Sequence, residues 1–326
     1  MLSVQRPCKF RAMKIHHQAK ILESDIDSLG HMNVRVYARH ASQGAQMLIQ
    51  SLGLLDLFDG QANIRLEDYD CYTTFRREQL LGSTIEVSGG VLDIGSNYLE
   101  VYLELRNSKT RELAAAFRKR FKPLISGSRR SAEFPDAFVK KRLADQFVDW
   151  PENLRPRSLE LGPIRDDVLE EDLKKLDVQP RFGGYTVTDK DVTDDGFMDM
   201  TLGTWLAFAK RPIKLELGAV EAETAKESSW FGEGEIAVAT LESRQTLIDI
   251  PSLGEEVISY TAITDIKPKI VRFCHWSYET GSGRLLAILD EVGIGLNLET
   301  RRSCEFPLDM RNQLEQVCQP TLRPLT

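Results

Sequence analysis

The chain has 326 residues, 42% hydrophobic and 28% charged, with 42 Lys plus Arg against 49 Asp plus Glu for a net charge of −7. Its length suggests about two domains at roughly 150 residues each, and its composition is that of a globular protein with ample core. The acidic balance argues against a general nucleic-acid binder, and no window approaches the ~18 apolar residues of a membrane span. Cys8, Cys71, Cys274, Cys304 and Cys318 are scattered, without a Cys-x-x-Cys pair or a Cys/His cluster, the pattern of free thiols in a reducing cytosol. Met1 to Arg11 carries charge but no apolar core of signal-peptide length. These features predict a cytoplasmic, soluble protein, and no metal or redox cofactor is implied.

In chain order, a strand is expected from Lys14 to Leu22. Asp25-Ile26-Asp27-Ser28-Leu29-Gly30-His31-Met32-Asn33 then forms a Gly-containing turn. Beyond it Val34, Tyr37, Ala41, Ala45, Leu48, Ile49 and Leu52 recur at steps of three and four, the spacing of one buried helix face. Two carboxylates, a histidine and an asparagine therefore crowd a helix N-terminus. Its unpaired N–H groups and partial positive charge suit an anion or a developing oxyanion. After a Gly-containing connection at 52–63, strands are expected over Ile64–Arg77, Ser83–Asp93, Tyr98–Asn107 and Glu112–Leu124. In the third, Leu99, Val101, Leu103 and Leu105 share one face, and Glu100, Tyr102, Glu104 and Arg106 the other. One long helix with several antiparallel strands is an α+β layout.

The pattern then repeats. Arg301-Arg302-Ser303-Cys304-Glu305-Phe306-Pro307 matches Arg129-Arg130-Ser131-Ala132-Glu133-Phe134-Pro135 at six of seven positions, at an offset of 172. Leu253-Gly254 matches Leu81-Gly82, and Asp265-Ile266 matches Asp93-Ile94, at the same offset. Asp191 to Asp199 echoes Asp25 to Asn33 at an offset of 166, so an insertion is expected after the second helix, around 221–234. The units are placed at 10–143 and 182–318, joined by 144–181, whose Ile164–Leu176 stretch reads as a solvated, mostly charged linker helix. Such a duplication suggests a fused pair of units that would otherwise dimerise.

The Asp-x-x-Gly-His-Met-Asn run followed by a helix bearing Tyr37 resembles the active-site turn of hotdog-fold thioesterases of the 4-hydroxybenzoyl-CoA and acyl-CoA group. With the duplication, this resemblance implies two tandem hotdog domains forming a pseudodimer, each a long central helix wrapped by antiparallel sheet. It also implies hydrolysis of an acyl-CoA thioester. Asp27 matches the carboxylate that acts as base or nucleophile, His31 and Asn33 support it, and helix-start amides near Asn33 and Val34 are the oxyanion donors. The residues also admit blander roles. Asp27 and Asn33 are common capping residues, Asp25 is a candidate solvated carboxylate, and Tyr37 a candidate core side chain.

Three departures mark limits of the match. Leu29 stands where plant-type acyl-carrier-protein thioesterases carry an Asn, and Val34 stands where many related turns carry a second Asn. The second repeat has Thr193, Phe197 and Asp199 in place of Asp27, His31 and Asn33, with Asp194 and Asp195 as weaker substitutes. One working site is thus expected, with the second repeat lining it; Arg244, Gln245 and Thr246 are candidates for that wall. The alternatives are an acyl-carrier-protein thioesterase or a non-catalytic acyl-thioester-binding scaffold, and further pairing of pseudodimers stays open.

The remaining features point elsewhere. His16 and His17 lack ligand partners at metal spacing. Gly89-Gly90 and Gly293-Ile294-Gly295 lack the order of a phosphate loop, and Gly-x-Ser-x-Gly is absent. Alternation is expected to put some of Arg118, Lys119, Arg120 and Lys122 on an exposed strand face, to meet CoA phosphates or to keep the strand soluble.

Overall fold

A computed structural model describes residues 13–27, 30–54, 64–125, 128, 130–134, 143, 145–178, 180–192 and 236–324. The helical period is realised as α1 (Val34–Leu52), and the strands as β1 (Lys14–Lys20), β2 (Ile64–Phe75), β3 (Thr84–Ile94), β4 (Leu99–Asn107) and β5 (Leu113–Ile125). The second half supplies β6 (Pro180–Thr186), β7 (Ile236–Leu247), β8 (Glu256–Ile266), β9 (Ile270–Glu279), β10 (Leu285–Asn297) and β11 (Arg302–Ser303). Two short helices, α2 (Glu170–Lys175) and α3 (Leu308–Gln316), and three single 3-10 turns accompany them among the described residues. The stretch where the second repeat's helix is expected, together with Thr193, Asp194, Asp195, Phe197 and Asp199, lies outside the described residues.

All strands join one antiparallel sheet in the order β1-β3-β4-β5-β2-β7-β10-β9-β8-β6, with β11 paired to β10. Each half repeats the same strand order, and the halves meet edge to edge at β2 and β7. There Tyr72 lies opposite Arg244, Asp70 opposite Thr246, and Thr74 opposite Glu242. At the offset of 172, Arg244 is the counterpart of Tyr72, Glu242 of Asp70 and Thr246 of Thr74. The seam is therefore self-complementary, the register of an isologous contact.

Local details repeat as well. The Gly82 amide donates to the Ile21 carbonyl (3.0 Å) and the Gly254 amide to that of Val187 (2.8 Å), with φ of +79° and +83°. Such φ values are ones glycine adopts without cost. The Phe134 and Phe306 amides donate to the Ser96 and Pro268 carbonyls, at the common offset. One ion pair recurs with its signs exchanged. Arg118 bridges to Glu100 across β5 and β4, and Asp290 to Arg272 across β10 and β9. Position and partner are kept while the charges swap, so what the duplication retains is the pairing geometry.

On one side of the first half, α1 buries Val36, Tyr37, Ala41, Ala45, Leu48 and Ile49 against Leu99, Val101, Leu103 and Leu105, the expected apolar face of β4. On the other face of β4, Tyr102 and Glu104 are buried too. The segment 145–178 causes this. Its Val148, Trp150 and Leu154 pack over Leu92 and Tyr102, and Leu159 and Leu161 pack over Tyr72 and Val292 near the seam. Val168, Leu173 and Val178 then cover Trp276 and Tyr278 of the second half. The reading of Ile164–Leu176 as a solvated helix is thus corrected. Only Glu170–Lys175 is helical; Lys174 and Lys175 point outward, Glu170 accepts from the Tyr260 hydroxyl, and Leu173 is fully buried. A helix too short to be stable alone is held by the apolar face it covers.

In the basic stretch Arg120 and Lys122 keep partial exposure, whereas Arg118 and Lys119 are buried. Arg118 is buried between Asp70 and Glu100, and Lys119 is buried beneath α1, donating to Ser42 Oγ (3.0 Å) and paired with Asp68. Arg120 lies over the Tyr98 ring. These cations sit inside the fold or against it because the sheet is covered on both sides.

Candidate active site

The turn before α1 is built outward from Asp25. Its carboxylate accepts from the Leu22 amide (2.9 Å) and from the Arg39 guanidinium one turn into α1 (2.6 Å). Burial raises its pKa, but these two donors outweigh burial and hold it below the usual carboxylate value. Asp25 is buried and ties the turn to the helix, so it is not the solvated carboxylate it could have been. Its carbonyl also accepts the Asn33 amide (2.9 Å).

Within this frame the Asp27 amide donates to the His31 carbonyl (2.9 Å) and the Gly30 amide to the Asp27 carbonyl (3.0 Å), with Gly30 at φ +83°. The loop closes so that His31 Nδ1 lies 3.3 Å from Asp27 Oδ2, with the side chains only 15% and 20% exposed. His31 Nε2 faces Glu78 Oε1 at 3.5 Å. Asp27 raises the His31 pKa, burial opposes it and Glu78 adds to the rise; the net shift is upward. The imidazolium is thereby favoured.

Asn33 is the N-cap of α1. Its Oδ1 accepts the Arg35 amide (3.0 Å), and its carbonyl accepts the Val36 amide (2.8 Å). The Val34 amide, first in the helix, has no acceptor among the described residues. An open N–H at the positive end of a helix is suited to an oxyanion. Tyr37 is core as expected. Its hydroxyl donates to the Arg77 carbonyl (3.0 Å), its ring meets Phe75 edge-on, and burial pushes its pKa far up, so it stays neutral.

Among the described residues, the second half reaches this turn through Leu289 and Arg301, not through the anticipated residues. Leu289 of β10 packs against Val34 and Ala38 at the start of α1, and Arg301 pairs with Glu78. Arg244 and Thr246 are instead engaged with Asp70 at the seam. Glu78 lies in the connection between β2 and β3, and nothing in its local sequence marks it. Arg301 had a signal in the repeated heptapeptide, but no sign of which residue it would meet. His40, buried on α1 with Nδ1 2.9 Å from His17 Nε2, also went unmarked. Among the described residues no three His, Cys, Asp or Glu side chains converge for a metal ion, and no helix is long and apolar enough to cross a membrane.

Residues 21–142 match the model of the thioesterase-like superfamily. No curated protein matches the chain. Among solved structures, an acyl-ACP thioesterase from Bacteroides thetaiotaomicron is similar with a TM-score of 0.61 at 12% identity, covering 85% of this chain and 96% of that one. A 12:0-ACP thioesterase from Umbellularia californica is similar with a TM-score of 0.61 at 14% identity, covering 85% of this chain and 93% of that one. At such identities the likeness is one of fold.

Proposed function

Because residues 21–142 belong to the thioesterase-like superfamily, we propose that this chain hydrolyses an acyl thioester in the turn before α1. The observation that carries the reading is the Asp27–His31 pair in the turn that leads into α1, whose Val34 amide has no acceptor among the described residues. A thioester carbonyl placed at that amide develops negative charge toward the helix N-terminus. Asp27 takes the proton of an attacking water, or attacks directly and is released by water. As the C–S bond breaks, the thiolate takes a proton from His31, and the products are free acid and thiol. Asn33 acts by fixing the first turn of α1.

The chain is read as two fused hotdog units, 10–143 and 182–318, forming a pseudodimer with 144–181 laid over the sheet. The self-complementary seam and the paired glycine turns support this reading. One site is then expected, in the first unit, with Leu289 and Arg301 of the second unit beside it. Acyl-CoA is the substrate class proposed. Acyl carrier protein is the second reading, favoured by the carrier-protein thioesterases among the similar structures.

The test is thiol release from a panel of short, long and aromatic acyl-CoAs, and from matching acyl carrier proteins, by wild type and Asp27→Asn. Hydrolysis that falls by about 10²-fold or more in the variant is expected. Equal rates in the two proteins would remove Asp27 from the mechanism, and no thiol from any substrate would leave an acyl-binding scaffold.

A further inference from the structure

We propose that Glu78 and Arg301 are positioning residues for His31, so that a turn of the second repeat sets the orientation and charge of the imidazole in the first. This deepens the hydrolytic reading above and rests on it. His31 is bracketed by Asp27 on Nδ1 and Glu78 on Nε2, at 3.3 and 3.5 Å, and Arg301 grips the far side of Glu78. With His31 protonated, two cations balance two carboxylates. With it neutral, one negative charge is left over in a half-buried turn, which is costly.

The geometry also has a mechanistic consequence. At 3.5 Å, Glu78 is close enough to aim the ring yet too far to hold its Nε2 proton in a strong hydrogen bond. By drawing Glu78 toward itself, Arg301 leaves that proton available for a departing thiolate.

Arg301 is built for this placement. It occupies the turn between β10 and β11 at φ +53°, a conformation that favours glycine. Its amide donates to the Asn297 carbonyl (2.9 Å), and the Asn297 side chain accepts from the Thr300 amide (2.7 Å). A strained backbone is thus held by its neighbours so that a long cation projects across the two halves. Two other described groups face the cluster or border it. From α1 comes Tyr37, which stays neutral, and Arg77 turns away toward Glu112 at 3.9 Å.

The experiment uses the full chain with Glu78→Gln, Arg301→Gln and Arg301→Lys. It reads the His31 titration by NMR of ring-labelled histidine, assigned with His31→Gln, alongside kcat and KM on a hydrolysed thioester. Glu78 raises the His31 pKa and Arg301 lowers it. The pKa is therefore expected to fall in Glu78→Gln, to rise in Arg301→Gln and to return toward wild type in Arg301→Lys. The kcat of the two Gln variants is expected to drop about tenfold with KM little changed, the mark of a misplaced group. A His31 titration that ignores both substitutions overturns the proposal. So does a KM that rises tenfold at constant kcat, which would make Arg301 a substrate-binding cation. If wild type hydrolyses nothing, the hydrolytic reading fails, and the NMR titration still decides whether the clamp exists.

Discussion

Asp70 of β2 and Arg244 of β7 form a buried ion pair across the line where the two halves of the sheet meet, with Nε 2.8 Å from Oδ1. Asp70 also accepts from Arg118 (2.8 Å) and Thr246 (3.1 Å), while Arg244 donates to the Glu160 (3.1 Å) and Gly162 (2.8 Å) carbonyls of the covering segment. One guanidinium therefore fastens both repeats and the connection between them. Arg244→Ala leaves Asp70 to Arg118 and Thr246 alone and removes the donor of two carbonyls, and is expected to destabilise the protein by about 2 kcal/mol. The exposed pair Arg155–Glu152 offers the contrast. Arg155→Ala should cost well under about 1 kcal/mol in the same urea titration.

The covering segment contributes apolar burial as well as hydrogen bonds. Leu173 is fully buried against the second half, whereas Leu169 beside it is 59% exposed. Leu173→Ala is expected to cost about 2–5 kcal/mol, and Leu169→Ala to stay within about 0.5 kcal/mol. Equal small effects in chemical denaturation would return the segment to the role of a passive linker.

Gly44 sets how closely α1 approaches the sheet. A Cβ there would lie 2.5 Å from Val87 Cγ1 and 2.9 Å from Val87 Cβ, a stiff β-branched neighbour. Alanine in mid-helix gains about 1 kcal/mol over glycine, but overpacking costs about 1–3 kcal/mol. Gly44→Ala should therefore be net destabilising by about 1 kcal/mol. It should also lower kcat, because lifting α1 displaces the Val34 amide. A higher unfolding midpoint would show that the interface had slack.

His40 makes stability depend on pH. Burial, then His17 and Arg39, push its pKa from 6.5 down to about 4, and His17 is lowered too, by burial and Arg39. The fold thus binds fewer protons than the unfolded chain between those values. Its stabilising contribution is complete above about pH 6.5 and is lost as pH falls toward about 4. His40→Gln, which keeps a polar group beside Gln43 and His17, should flatten this loss by about 1–3 kcal/mol. Unfolding midpoints at about pH 7 and about pH 5 provide the comparison, and parallel declines in variant and wild type would exclude His40 as the source.

Much of the architecture followed from the amino-acid order because it depends on local period. The apolar stripe from Val34 to Leu52 can bury one face only as a helix, and alternation from Leu99 to Leu105 can do so only as a strand. The repeated strand order was foreshadowed by the Arg-Arg-Ser heptapeptide and the Leu-Gly turns, and the closeness of Asp27 and His31 by the spacing around Gly30. Tertiary structure decided what depends on surfaces meeting. Glu78 and Arg301 come together only when β10–β11 folds back beside the first repeat, and Arg244 finds Asp70 only when β2 and β7 pair. Leu173 and Tyr102 are buried only because segment 145–178 crosses the sheet. Periodicity records which face of an element avoids water. It carries no record of what covers that face, so long-range partners of charged side chains emerge only once the chain has closed on itself.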